Sequence, residues 1–248
     1  MSEVKTVLVT GSSRGIGKAI AKRLQQDGWR IILHASRPES LNDSLRRETS
    51  AMGEIIADLS DPAQALQLMR QLPAFGPIHA VVNNAGVYRP FAYDTPDETL
   101  WTESWGETLA VNLISPSIIM REAALLFSRN DPPGGTILNV ASRVGFKAEA
   151  GAAAYAASKA ALISLTRSLA VEWATQGVRL FGLAPGWVET AMSRDGMEER
   201  VREIVAGIPL GRMAMPEDCA AVARFLLSEE AAYLSGLVVD INGASYFH

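Results

Sequence analysis

The sequence predicts a doubly wound α/β fold, a mostly parallel sheet with helices on both faces. Two observations carry this. Short β-branched or aliphatic runs alternate with helical patterns from end to end, as parallel βαβ units require. A glycine-rich segment, Thr10-Gly11-Ser12-Ser13-Arg14-Gly15-Ile16-Gly17, joins the first run to the first helical pattern, where such folds bind their ligands. A third observation bounds the organisation. The 248 residues contain no repeat, charge block or low-complexity linker, so one domain over residues 1–248 is expected.

In order, residues 7–9 read as the first strand. A helix follows from Gly15, with Ile16, Ala19, Ile20 and Leu24 on one face and Gly28 closing it. Residues 30–33, 54–57, 78–82 and 136–140 read as the next four strands, and 177–183 and 237–241 complete the set. Long helical patterns cover about 97–128 and 152–173. The main irregular insert, residues 189–215 with Gly196, Gly207 and Gly211, is expected to form a lid over a ligand.

An apolar fraction of 48% fits a globule with a substantial core. The formal net charge of −4 argues against nucleic acid or an anionic membrane as the main partner. No apolar run reads as long enough to span a bilayer, because Lys147, Glu149 and Lys159 interrupt the most apolar region. The single cysteine, Cys219, rules out an intrachain disulfide and reads as a buried, inert thiol, in keeping with a cytoplasmic protein. His34, His79 and His248 are scattered and form no ligand pair, so no metal site is expected.

Gly11, Gly15 and Gly17 allow a tight turn and close backbone approach, while the helix behind them offers free N–H groups to a pyrophosphate. A site selective for NAD usually carries an acid at the end of the second strand, holding the ribose 2′-hydroxyl. Here that place reads His34-Ala35-Ser36-Arg37, with no acid until Glu39. Taken singly, Arg14 and Arg37 would read as solvated loop residues. Together, and with Ser36 beside them, they suit a 2′-phosphate, so NADP(H) rather than NAD(H) is the expected cofactor.

Tyr155 and Lys159 stand four apart in an alanine-rich helical pattern and so project from one face. A free phenol, with a pKa near ~10, is a poor proton source at neutral pH. An ammonium nearby favours the phenolate and lowers that pKa. At ~4 Å and an effective dielectric of ~20 the attraction is ~4 kcal/mol, at most roughly three pKa units. The spacing therefore predicts a tuned acid.

These elements together resemble the short-chain dehydrogenase/reductase family, over essentially the whole chain. Thr10-Gly11-x-x-x-Gly15-x-Gly17 looks like its cofactor turn, and Asn83-Asn84-Ala85-Gly86 is similar to its motif after the fourth strand. The resemblance implies a Rossmann-like seven-stranded sheet in the order 3-2-1-4-5-6-7. It implies a catalytic tetrad of Asn112, Ser142, Tyr155 and Lys159, and hydride transfer between NADP(H) and a carbonyl or secondary alcohol. It assigns cofactor contacts to Gly11, Ser13, Arg14, Gly15, Ile16 and Gly17 in the turn, and to Ser36 and Arg37 after the second strand. Asp58 and Leu59, then Asn83, Ala85 and Gly86, follow along the adenosine side. Tyr155, Lys159, Pro185, Gly186, Val188 and Thr190 flank the nicotinamide. Relatives are commonly tetramers, and a homotetramer or homodimer is expected here.

Within the family the chain looks most like bacterial 3-oxoacyl-thioester reductases, in Tyr155-Ala-Ala-Ser-Lys-Ala-Ala-Leu162 and Asp240-Ile-Asn-Gly243. It departs from them where basic residues would meet an acidic carrier protein. Pro133 and Gln176 stand there, with Arg129 and Arg179 nearby. A general ketone reductase and a sugar or polyol dehydrogenase therefore stay open, as does a nucleotide-sensing regulator without chemistry.

Overall fold

A computed structural model describes residues 4–191 and 201–248. The chain runs β1 (Thr6–Val9), α1 (Gly15–Gln26), β2 (Arg30–Ala35), α2 (Asp43–Thr49), β3 (Gly53–Ile56), α3 (Pro62–Gln71), β4 (Ala80–Asn83), α4 (Glu98–Leu109) and α5 (Ser115–Phe127). It continues with β5 (Gly135–Val140), α6 (Ala153–Glu172), β6 (Val178–Pro185), α7 (Val201–Ala206), α8 (Pro216–Leu226) and β7 (Val238–Ile241). Among the described residues the strands form one seven-stranded sheet, ordered β3-β2-β1-β4-β5-β6-β7, as the resemblance implied. Every neighbouring pair is parallel, so the mostly parallel sheet is parallel throughout.

Side chains alternate across the sheet and build a core on each face. Val7, Val9, Ile31, Leu33, Leu138 and Val140 point to the face that α1 and α8 cover. Leu8, Ile32, Val81 and Ile137 point to the other, where Leu68 of α3, Ile119 of α5 and Leu162 of α6 meet them. Phe127 and Phe181 are fully buried, each worth about 1.5–3 kcal/mol of transfer free energy. Strand order reverses between β1 and β4, the switch point at whose carboxyl end doubly wound sheets bind ligands.

Two expectations change here. The helix expected over 97–128 is interrupted by a turn of π-helix at Ala110–Ile114, between α4 and α5. That combined stretch, Glu98–Phe127, is also long and apolar enough to cross a membrane by length and composition, which the sequence reading overlooked. Its apolar side serves the core instead, with Ile119, Ala123 and Phe127 fully buried. At the insert, α7 contributes Ile204 to a small cluster with Ile208, Met213 and Trp187. A parallel bridge from Val188 to Ala214 ties its base to the sheet end. The middle of the expected lid, residues 192–200 with Gly196, lies outside the described residues.

Candidate active site

The carboxyl ends of β1, β2, β4, β5 and β6 open into one cleft of about 1310 Å³, above the roughly 300–1,000 Å³ usual for small-ligand pockets. The glycine turn forms its floor. Gly11 and Gly15 hold φ of +60° and +55°, which glycine adopts without penalty. A Cβ on Gly11 would lie 2.9 Å from the Ala85 backbone, and one on Gly17 would lie 2.3 Å from Asn84 Nδ2 and 2.5 Å from the Gly11 carbonyl. Asn84 braces this packing, donating from Nδ2 to the carbonyls of Thr10 at 2.9 Å and Gly11 at 3.0 Å.

Helix α1 begins at this turn without a side-chain cap, whereas Asn42, Asp61 and Asp97 cap α2, α3 and α4. Its first N–H groups are left for a ligand, and an anion is what a helix start attracts. Arg14 and Arg37 line the same cleft and are exposed, and among the described residues neither has an ion-pair partner. A cradle with two spare cations at its rim and no acid directly after β2, where Ser36 and Arg37 stand, fits a phosphorylated dinucleotide.

At the other end, Ser142 sits just past β5, and Tyr155 and Lys159 stand one turn apart on α6. All three line the cleft. The Ser142 hydroxyl accepts from Val144 N–H at 3.2 Å and lies near enough to the Tyr155 phenol to favour its phenolate. Lys159, only 3% exposed, donates to the Val140 carbonyl at 2.8 Å, and its ammonium lies 5.6 Å from the Tyr155 ring centre.

The π-turn carries Asn112. Its Oδ1 accepts from Val87 N–H at 2.9 Å, and its Nδ2 donates to the Val87 carbonyl at 2.9 Å and to Ser158 Oγ at 3.3 Å. Such turns interrupt helices where a side chain must be re-aimed, often at functional sites. Gly86 brings the two groups together, since a Cβ there would lie 3.3 Å from Asn112 Oδ1 and 3.6 Å from Lys159 Nζ.

The expected tuning of the phenol is not what the structure shows. Burial disfavours the phenolate and pushes Tyr155 up to about 12, against a downward pull from Ser142. Burial also lowers Lys159 to about 8. The lysine is seated on a carbonyl rather than on the phenol, so the charge pair that the spacing suggested does not form.

A family model described as Enoyl-(Acyl carrier protein) reductase matches residues 11–243. The chain is 34% identical to the 3-oxoacyl-[acyl-carrier-protein] reductase FabG of Escherichia coli K12, over 98% of each chain. The chain belongs to the short-chain dehydrogenase/reductase family. Protein FixR of Bradyrhizobium diazoefficiens is 39% identical to this family member, over 98% of it and 87% of FixR. A solved structure from Beutenbergia cavernae, designated an NAD(P)-dependent gluconate 5-dehydrogenase and holding NADP at low occupancy, superposes with a TM-score of 0.89. It is 34% identical, over 97% of this chain and 96% of that one.

Most residues that the resemblance singled out in this short-chain dehydrogenase/reductase face the cleft, including Ser36, Asp58, Leu59, Ala85, Pro185 and Thr190. Three do not. Gly17 and Asn112 lie behind its wall, as spacer and brace. Asn83, assigned to the cofactor, turns its side chain into the core, donating to Asn139 Oδ1 at 2.9 Å, while Asn84 takes the cleft position.

The sequence reading missed His34. Fully enclosed at the end of β2, it accepts the Gly11 N–H on Nδ1 at 2.9 Å, so Nε2 carries the hydrogen and donates to Ala57 O at 3.0 Å. The imidazole thus pins the glycine turn to the end of β3. Burial lowers its pKa from 6.5 to about 4, so the folded protein holds it neutral while the unfolded chain protonates it. Stability is therefore full above pH 6.5 and falls as pH drops toward 4, by about 3 kcal/mol in all. Acid unfolding of His34→Leu is expected to lose that part of the pH dependence while NADPH affinity drops about tenfold, one strong hydrogen bond's worth. An unchanged profile and affinity would show that His34 only fills space.

Proposed function

We propose that the chain is an NADP(H)-dependent oxidoreductase that interconverts a small-molecule carbonyl and a secondary alcohol. The observation that carries this reading is the convergence of Ser142, Tyr155 and Lys159 on the cleft that the glycine turn also lines. When bound, the cofactor supplies or accepts the hydride. The turn from Gly11 through Ile16 and the α1 start would hold its pyrophosphate. Ser36, Arg14 and Arg37 would hold the 2′-phosphate, and Asp58, Leu59, Ala85 and Gly86 the adenosine side. Pro185, Gly186, Val188, Thr190 and Lys159 would hold the nicotinamide side.

In reduction Tyr155 protonates the developing alkoxide and Ser142 hydrogen-bonds the same oxygen. A phenol pushed up to about 12 stays protonated throughout the physiological range, so the proton is in place although the acid is weak. The developing alkoxide, a stronger base than a phenolate, can still take it. Lys159 keeps its positive charge below about 8 and gives it up above. Reductive kcat/KM is accordingly expected to be level below pH 8 and to fall as pH rises through it. Lys159→Arg, with a guanidinium that holds its proton, should move that fall to higher pH. A fall that stays in place in the variant assigns it to another group.

Two substrate classes fit. A 3-oxoacyl thioester accords with the similarity to FabG. Of the two basic residues named as carrier contacts, however, Arg179 is held by Glu229 at 2.8 and 3.1 Å, which leaves Arg129 as the exposed one of the pair. A ketone or sugar needs no such docking. A nucleotide sensor has no use for the Ser142–Tyr155 pair. NADPH consumption against a panel of ketones, sugars and acyl thioesters separates these readings, and binding without turnover of any would overturn the enzyme.

A homotetramer or homodimer accords with exposed apolar side chains on α6 and beyond α8, among them Val171 at 82% and Tyr233 at 103% exposure. A cytoplasmic location accords with the buried free thiol of Cys219, which burial pushes up to about 12. The domain reading, one unit with a substrate lid at 189–215, is supported by the packing of Ile204, Ile208 and Met213 beside Trp187, which lines the cleft.

A further inference from the structure

The wall beside Tyr155 is charged. Arg143, the residue after Ser142, is 9% exposed and turns its guanidinium into the cleft lining. Its Nη2 donates to Glu149 Oε2 at 3.2 Å and its Nη1 to Ser245 Oγ at 3.5 Å, while its Nε is buried with no hydrogen-bond partner. The other oxygen of Glu149 accepts from the Tyr88 hydroxyl at 3.4 Å. The Tyr88 ring stands edge-on to that of Tyr155, their centres 5.1 Å apart. Guanidinium, carboxylate and phenol thus run in one connected line to the proton donor, and all four side chains border the same cleft.

What enters must compensate this wall. An alkyl or acyl chain laid against it strips water from an ion pair and returns no hydrogen bond, an expensive exchange. A second carboxylate would face Glu149, whose side chain is 23% exposed. A hydroxyl answers this wall by donating to the part-exposed Glu149 carboxylate, which the largely buried Arg143 guanidinium holds in place. Resting on the carbonyl–alcohol reading, we propose that Arg143, Glu149 and Tyr88 select a neutral, hydroxyl-bearing carbonyl substrate, with the hydroxyl close to the reacting carbon.

The test is steady-state reduction by the full chain with NADPH. The probes are 1-hydroxybutan-2-one, butan-2-one of the same skeleton, and the N-acetylcysteamine thioester of 3-oxobutanoate. The hydroxyketone is expected to exceed butan-2-one in kcat/KM by at least about tenfold, because a site built to bond a hydroxyl rejects the analogue without one. Glu149→Ala should collapse that ratio toward one. Tyr88→Phe, which removes a single hydroxyl and leaves the ion pair in place, should lower it severalfold. NADPH affinity checks that each variant is folded. A preference for the thioester, or a hydroxyketone ratio that neither variant moves, overturns the selection while leaving the oxidoreductase reading intact. Failure to reduce any of the three, or the wider carbonyl panel, overturns both.

Discussion

Tyr155→Phe should lower carbonyl reduction by about 10²–10⁴-fold, the range that a positioned proton donor contributes, with NADPH affinity little changed. The substitution removes one oxygen. The half-buried ring keeps its edge-on contact with Tyr88, and α6 keeps its packing through Leu162 and Ile163. The loss therefore falls on the chemical step, because Ser142 can hydrogen-bond the substrate oxygen but has no base arranged to resupply its proton. Stopped-flow hydride transfer beside fluorescence titration of NADPH separates the two effects. Comparable turnover in the variant would remove Tyr155 from the mechanism.

The second large effect concerns the cofactor. Arg37→Ala should weaken NADPH about tenfold and leave NADH within about twofold, with Arg14→Ala adding to it. A hydrogen bond to a charged group contributes about 1.5–3 kcal/mol, or roughly 10- to 150-fold. The exposure of Arg37 places it at the lower end, where solvent screens the charge. Among the described residues neither arginine side chain forms an ion pair, so either can be shortened without breaking one. Equal weakening of both cofactors would show that Arg37 does not meet the 2′-phosphate.

What could be read from the sequence was what local pattern encodes. Strand alternation yielded all seven strands and, with the resemblance, their order, because a parallel sheet with both faces covered writes apolar runs into the chain. The glycine turn was legible because positive φ and close approach demand glycine. Features that depend on partners far along the chain were not. His34 looked isolated because its partners lie 23 residues away on either side. Asn83 and Asn84 are adjacent and alike, and only the sheet decides which one faces the cleft. The π-turn at Asn112 coincides with hydrogen bonds from its amide to Val87, 25 residues earlier. The phenol's environment was misjudged for a related reason. Four residues of helix set the direction of Lys159, but the carbonyl that captures it belongs to β5.

The central claim is that this cleft moves a hydride between NADP(H) and a carbonyl carbon while Tyr155 supplies the proton. NADPH deuterated at the transferable C4 position, incubated with the protein and a carbonyl panel, tests it most directly by mass spectrometry of the products. The predicted result is a secondary alcohol carrying deuterium on its carbinol carbon, formed by the wild-type chain and not by Tyr155→Phe. Bound NADPH with no deuterated alcohol from any carbonyl, or the same yield from both proteins, would contradict it.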